Sequence, residues 1–191
     1  IGVRDPFGIR PLVIGKLNDS YIFTSETCAL DIIGAEYIRD VENGEIVVAT
    51  KGKLTSLKPF PFKNLRPCVF EYIYFARPDS LINGKCAYEH RKKLGYALAE
   101  ECNVNPDIIV PVPDSGVPAA IGFSQKIGVN FELGLIRNHY VGRTFIEPKQ
   151  SVRSFGVKLK LSSNKSSIEN KSVILIDDSL VRGTTCSKIV K

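Results

Sequence analysis

Methionine is absent from the 191 residues of this sequence. Ile1 is therefore not expected to be a natural start, and we expect the chain to be the middle of a longer protein. No apolar run approaches the roughly 18–20 residues that a membrane-spanning helix requires, and no signal-peptide pattern opens the chain. We therefore expect no membrane partner.

Closely spaced cysteine pairs are also missing. The five cysteines are odd in number, widely spaced and without a CxxC motif: Cys28, Cys68, Cys86, Cys102 and Cys186. This pattern favours a reducing cytoplasm over a disulfide framework. Residues 1–57 contain no histidine, so this part is not expected to hold a complete catalytic set.

The net charge of +6 is unevenly distributed, in a composition of 43% apolar and 24% charged residues that is typical of a globular protein. Residues 137–165 contain seven basic residues and a single acid, Glu147. Such a segment can bind nucleic acid, but here it lacks regular aromatic interleaving or a helical stripe of charge. It favours a small polyanionic substrate, and we expect no nucleic-acid partner.

The pattern of apolar residues changes along the chain. Residues 1–57 predict short antiparallel strands with a hairpin around Lys51-Gly52, and the three prolines within 58–67 predict an extended linker. From residue 68 onwards, strands are predicted at 68–75, 107–112, 131–136 and 173–176, and helices at 88–101 and 118–127. This alternation predicts βαβ units, a largely parallel sheet and an α/β fold with an α+β front part.

Residues 173–185 are the most informative stretch. The β-favouring residues Val173–Ile176 predict a buried strand that ends in two adjacent carboxylates, Asp177 and Asp178. A loop of small and hydroxylated residues follows, and residues 186–191 predict the beginning of a helix. A strand, a small-residue loop and a helix N-terminus together can bind phosphate through free backbone N–H groups.

The two carboxylates would repel a simple phosphate. They suit a ligand that also carries sugar hydroxyls and a divalent cation, such as a ribose with a 5-phosphate and a pyrophosphate. The alternative is an ordinary βα turn whose acids are solvated or capping. Ligands bind at the carboxyl ends of parallel strands, so we expect the loop Asp114-Ser115-Gly116 to face the same pocket as the two acids.

Residues 173–185 resemble the motif that binds 5-phosphoribosyl 1-pyrophosphate (PRPP) in type I phosphoribosyltransferases. Three further stretches resemble the glutamine phosphoribosylpyrophosphate amidotransferase family: 4–12 its glutaminase domain, 71–80 the entry to its transferase domain, and 138–146 its flexible loop. His139 stands where family members usually carry Arg. The resemblance extends from end to end of the chain.

This resemblance implies a type I phosphoribosyltransferase sheet (68–191), preceded by the end of an Ntn-hydrolase glutaminase domain (1–57) and the linker (58–67). It implies an amidophosphoribosyltransferase, a pentosyltransferase that makes 5-phosphoribosylamine from PRPP and glutamine-derived ammonia in the first committed step of purine synthesis. The glutaminase nucleophile is expected upstream. The implied partners are PRPP, glutamine and purine nucleotide inhibitors, in a homo-oligomer of the tetramer type.

We expect Asp177 and Asp178 to hold the ribose hydroxyls and Mg²⁺, with Ser115 completing the set. The other PRPP contacts are expected from the two loops, at Asp114, Gly116, Ser179, Leu180, Val181, Arg182, Gly183, Thr184 and Thr185. The basic segment 137–161 is expected to close as a lid with Arg143 and Lys160 on the pyrophosphate. The alternative for that segment is a solvated surface loop.

Cys68 stands where some members of the family have the first of four cysteine ligands of a [4Fe-4S] cluster. The alternative is a buried free thiol. Two other functions also remain open for the whole chain. One is a PRPP-binding regulator without catalytic activity, and the other is a different type I phosphoribosyltransferase.

Overall fold

The computed structural model describes residues 1–140, 161–180 and 183–190. The chain forms two compact units, Ile1–His90 and Arg91–Lys191. None of the helices in the described ranges is long and apolar enough to cross a membrane.

The first unit is built from short antiparallel strands and one helix. Its elements are β1 (Gly2–Val3), β2 (Val13–Leu17), β3 (Ser20–Thr24), α1 (Thr27–Ile33), β4 (Glu36–Asp40), β5 (Ile46–Thr50), β6 (Lys53–Leu57), a π-helical turn (Glu71–Phe75), β7 (Leu81–Ile82) and β8 (Lys85–Cys86). Two three-stranded sheets have the orders β3-β2-β4 and β1-β5-β6, and β7 pairs with β8. The predicted hairpin around Lys51-Gly52 is confirmed as β5–β6.

Strand β2 lies between two apolar clusters, because successive side chains of a strand point to opposite faces. Val13 packs with Leu30 of α1 and with Ala35, whereas Ile14 packs with Val41 and Val47. Both β2 residues are fully buried. The cluster around Ile14 includes residues of both three-stranded sheets.

The segment that begins at Arg4 folds around its own charged groups. The buried Arg4 guanidinium donates to the carbonyl oxygens of Val41, at 2.7 Å, and Gly8, at 3.3 Å. The Asp5 carboxylate accepts the backbone N–H groups of Phe7 and Ile9, each at 2.9 Å. The buried Arg4 charge is thus hydrogen-bonded, as buried charges must be, and the half-buried Asp5 holds the turn that follows it.

The predicted strand at 68–75 is wrong. Residues 71–75 form a π-helical turn, and the Ala76 N–H donates to the Glu71 carbonyl oxygen, five residues earlier, at 3.3 Å. Glu71 and Ala76 are the buried residues of the segment, so burial also repeats at five residues. A short aromatic run does not by itself distinguish a strand from a helix, and a π-helical turn has no composition of its own.

The second unit contains parallel strands and helices. Its elements, together with the helix that leads into it, are α2 (Ala87–Glu101), β9 (Ile108–Pro111), α3 (Val117–Ile127), β10 (Leu135–Arg137), β11 (Leu161–Ser163), α4 (Lys165–Ile168), β12 (Val173–Ile176) and α5 (Thr184–Ile189). Strands β9 and β12 are parallel, and Phe131 forms a parallel bridge with Ile109. The predicted parallel α/β architecture is confirmed, although the strand expected at 131–136 is reduced to this bridge and β10.

The two faces of the parallel pair are both covered. On one face, Ile109 and Ile176 pack with Phe123 and Ala120 of α3. On the other, Ile108 and Val110 pack with Leu135. Burial on both faces explains why β9 and β12 are continuous apolar runs rather than alternating ones.

Candidate functional site

The register of the parallel pair brings the two predicted loops together. Pro111 lies opposite Ile176, so β9 and β12 end at the same level of the sheet. The Val112 N–H donates to the Ile176 carbonyl oxygen at 2.8 Å, and the Gly116 N–H donates to the Val112 carbonyl oxygen at 3.0 Å. Residues 113–116 therefore turn back directly beside the point where Asp177 leaves the sheet.

Glycine at position 116 is required by this close approach. A Cβ atom there would overlap the Ile176 carbonyl oxygen and lie 2.9 Å from that of Val112. Any larger residue would push the 113–116 loop away from β12. Because Gly116 has no side chain, the two loops can lie adjacent, and glycine commonly serves this purpose at ligand sites.

The two acids have different surroundings although both are half-buried. One oxygen of Asp177 accepts the Asp178 N–H at 2.9 Å, and one oxygen of Asp178 accepts the Ser179 hydroxyl at 2.5 Å. Burial raises the pKa of Asp177 above its ordinary value, and the negative charge of Asp178 raises it further against the opposing backbone hydrogen bond. A cation at this place would favour the ionised form, since opposite charge lowers a carboxyl pKa.

The first loop presents an exposed acid. The Asp114 carboxylate forms an ion pair with Arg137, Ser115 is half-buried, and the Pro113–Asp114 peptide bond is cis. Arg137 ends β10 and begins the basic segment, but sequence reasoning gave it no individual role. The sequence signal that could have pointed to Arg137 is its position at the end of a strand, next to the segment expected to form a lid.

The second loop is described only in part. Ser179 and Leu180 are exposed, Gly183 is in the left-handed region, and the backbone of α5 begins at Thr184 and Thr185. The Ser187 N–H donates to the Gly183 carbonyl oxygen at 2.9 Å, as the start of a helix requires. Val181 and Arg182, and likewise Arg143 and Lys160, lie outside the described residues.

The oxygen atoms at this site are of the kind that binds Mg²⁺. Within the described ranges no group of three or more His, Cys, Asp or Glu residues could hold a metal ion. Mg²⁺, however, is usually bound through one or two carboxylates together with substrate phosphates and water. Asp177, Asp178 and the Ser115 hydroxyl could supply such oxygen ligands. Cys68 is a half-buried free thiol, and the other four cysteines are free as well.

A family model described as the phosphoribosyl transferase domain matches residues 81–191. The chain belongs to this phosphoribosyltransferase family. It is 57% identical along its full length to an amidophosphoribosyltransferase of Rhizobium etli and 53% identical to one of Synechocystis. It spans only 40% and 39% of those two proteins, respectively.

Solved structures agree with the sequence relatives. The glutamine PRPP amidotransferase from Bacillus subtilis, solved in complex with ADP and GMP, is 48% identical, with a TM-score of 0.88 over 97% of this chain and 41% of its own. A second structure, described as the allosteric regulatory enzyme of purine biosynthesis, gives a TM-score of 0.89 at 48% identity. The predicted resemblance and fold class are confirmed, whereas the domain boundaries and individual site residues stay predictions.

Proposed function

We propose that this chain contributes the PRPP site of an amidophosphoribosyltransferase, which makes 5-phosphoribosylamine from PRPP and ammonia released from glutamine. One observation carries the proposal. The Asp114–Gly116 loop and the Asp177–Asp178 pair meet at the carboxyl ends of two hydrogen-bonded parallel strands. They do so in a chain that is similar along its whole length to enzymes of that name.

The chemistry follows from the residues at these ends. Ammonia attacks the anomeric carbon of PRPP, the bond to the pyrophosphate oxygen breaks, and pyrophosphate leaves with the bonding electrons. Positive charge develops on the ribose ring during this exchange, so the ionised Asp177 and Asp178 stabilise it while they orient the ribose hydroxyls. The 113–116 loop faces the leaving pyrophosphate, with Arg143 and Lys160 of the basic segment as its cations. Closure of that segment excludes water, which otherwise competes with ammonia.

We propose Mg²⁺ as the cofactor, held by Asp177, Asp178 and Ser115. When bound it neutralises charge on the departing pyrophosphate. A [4Fe-4S] cluster with Cys68 as one ligand is a further proposal, and it requires three more cysteines elsewhere in the full-length protein. The proposal also includes glutamine as the nitrogen donor and purine nucleotides as inhibitors. We further propose a tetrameric assembly and a cytoplasmic location.

The deciding experiment measures pyrophosphate release from PRPP by the full-length protein, with ammonium chloride in place of glutamine. We expect Asp177→Asn to reduce this rate by about 100-fold or more, because an electrostatic stabiliser of the transition state is lost. Glu42→Gln is the matched control, since it makes the same chemical change at an exposed carboxylate paired with Lys58. Near-normal turnover by Asp177→Asn would refute the assignment. Mg²⁺-dependent binding of PRPP by the wild-type protein without any turnover would favour a regulator instead.

A further inference from the structure

The turn before α1 is bound to a turn that lies more than fifty residues later in the sequence. One Glu26 carboxylate oxygen accepts the Arg77 backbone N–H at 2.7 Å and the Ser80 hydroxyl at 2.8 Å. The neighbouring Thr27 hydroxyl oxygen accepts the Leu81 N–H at 2.8 Å. Two consecutive side chains thus hold the whole 77–81 stretch.

This arrangement is not a helix cap in the ordinary sense. Glu26 occupies the N-cap position of α1 but makes no side-chain capping hydrogen bond, although the Cys28 thiol of that helix donates to its carboxylate at 3.7 Å. Its carboxylate is directed instead at the distant turn. Ser80 has no exposed surface and Thr27 is 6% exposed, so the hydrogen bonds at these two residues are partly buried, whereas the bond from the Arg77 N–H is exposed. Hydrogen bonds to a carboxylate acceptor are among the stronger ones in proteins.

The same turn also holds the beginning of helix α2. The Ala87 N–H donates to the Ser80 carbonyl oxygen at 3.0 Å, and the Tyr88 N–H donates to the Pro78 carbonyl oxygen at 2.8 Å. These two N–H groups belong to the first turn of α2, where backbone N–H groups have no acceptor within the helix itself. Residues 77–80 are therefore bonded on one side to Glu26 and on the other to α2.

These contacts join residues of two parts of the chain that are similar to different protein domains. Residues 1–57 resemble a glutaminase domain, and the phosphoribosyl transferase match begins at residue 81. We propose that Glu26 is a positioning residue, which holds residues 77–81 and the start of α2 in place so that ammonia freed from glutamine is used in the transferase reaction. The inference rests on the proposed function and adds to it a residue that touches no substrate.

The test uses the full-length protein and compares three rates: ammonium-dependent pyrophosphate release, glutamine-dependent pyrophosphate release, and glutamate formation. For Glu26→Ala we expect the ammonium-dependent rate to stay within about twofold of wild type. The glutamine-dependent rate should fall about tenfold, because small displacements between reacting partners are costly. Glutamate should then form in excess of pyrophosphate, whereas wild type should form equal amounts.

Two further variants sharpen the result. Arg77→Ala is the matched control, because its backbone N–H makes the bond to Glu26 while its exposed side chain pairs with Asp79. We expect it to match wild type in all three rates. Ser80→Ala should reproduce part of the Glu26→Ala effect, and the double variant Glu26→Ala with Ser80→Ala should be no worse than Glu26→Ala alone, since both remove the same bond.

The outcomes separate the two proposals. A wild-type protein without ammonium-dependent pyrophosphate release would refute the proposed function and this inference together. An active wild type whose Glu26→Ala variant loses all three rates in parallel, or none of them, would refute this inference alone. If Glu26→Ala does not fold, the ratio of glutamate to pyrophosphate is measured for Glu26→Gln and Ser80→Ala instead, and a ratio equal to that of wild type refutes the inference.

Discussion

At the scale of single residues, Glu45 has the most completely bonded carboxylate in the described part of the first unit. Glu45 is 1% exposed, and its oxygens accept hydrogen bonds from both terminal nitrogens of Arg39, at 2.8 and 2.7 Å. They also accept the Ser56 hydroxyl at 2.6 Å and the Glu42 N–H at 2.7 Å. The hydrogen bonds from Arg39 are the main reason why the pKa of Glu45 falls to about 2.

We predict that Glu45→Gln lowers the free energy of unfolding by about 3 kcal/mol at pH 7, because Arg39 then loses its charged partner. The pKa is lower in the folded state, so the ionised carboxylate stabilises the protein above the unfolded pKa of roughly 4.5. This contribution decreases as the pH falls and is lost near pH 2. Urea unfolding at pH 7 and pH 3 measures the difference between wild type and variant.

The control for this prediction is Glu42→Gln. Its carboxylate pairs with Lys58, but both side chains are more than half exposed. We therefore expect a change of less than about 1 kcal/mol, as for other surface ion pairs. A Glu45→Gln variant that unfolds like Glu42→Gln at pH 7 would contradict the importance of the pair between the buried Glu45 and the partly exposed Arg39.

Single residues were predictable from sequence only where their partners are close along the chain or follow a known motif. The two acids after Val173–Ile176 could be placed at the end of a strand because β-favouring apolar residues directly precede them, and their role at the site stays a prediction. The tertiary role of Glu26 could not be predicted, since its partners lie 51 and 54 residues away. Nor could the pair between Asp114 and Arg137 be predicted, because it requires knowledge of where β10 ends.

At the scale of elements, helices α2 and α3 are in unusually close contact through two glycines. A Cβ atom on Gly95 would overlap the Ala119 carbonyl oxygen, and one on Gly122 would overlap the Lys92 carbonyl oxygen. Glycine is unfavourable inside a helix, so its presence here is explained by packing rather than by local preference. Since α3 directly follows the 113–116 loop, this contact also fixes the helix that begins at the candidate site.

We predict that Gly122→Ala destabilises the protein by about 1–3 kcal/mol, because the backbone of α2 must move to admit the methyl group. The gain in helix propensity of about 1 kcal/mol offsets only part of this cost. Thermal unfolding of the full-length protein measures the effect. Ala97→Gly, at an exposed position of α2, gives the size of the propensity contribution alone. A Gly122→Ala variant more stable than wild type would contradict the close contact.

The regular elements were predictable where periodicity and turn residues agree. The β5–β6 hairpin has Lys51 and Gly52 with positive φ at its turn, and α3 ends before the left-handed Gly128. The π-helical turn at 71–75 was not predictable, because its aromatic run fits a strand equally well. The strand expected at 131–136 is interrupted at residues 132–134, where the Gly134 N–H donates to the Glu132 carbonyl oxygen at 2.9 Å instead of to a neighbouring strand.

At the scale of the whole molecule, three boundaries fall at different places. The prolines at 58–67 predict a linker, the family match begins at residue 81, and the compact units divide between His90 and Arg91. Composition marks where a chain is extended, but compactness depends on contacts such as those from Glu26 to the 77–81 stretch. The linker therefore stays a prediction, and a stretch assigned to the transferase by resemblance lies in the first compact unit.

Ligand binding connects the candidate site to the stability of the entire protein. A ligand that binds only the folded state stabilises it by about 2.7 kcal/mol at a concentration 100 times its Kd. We predict that PRPP with Mg²⁺ raises the Tm of the full-length protein, and that Asp177→Asn removes this shift while Glu42→Gln retains it. Scanning calorimetry with and without EDTA provides the measurement. An unchanged shift in EDTA would contradict the role of Mg²⁺, and an equal shift for Asp177→Asn would contradict the placement of PRPP at the ends of β9 and β12.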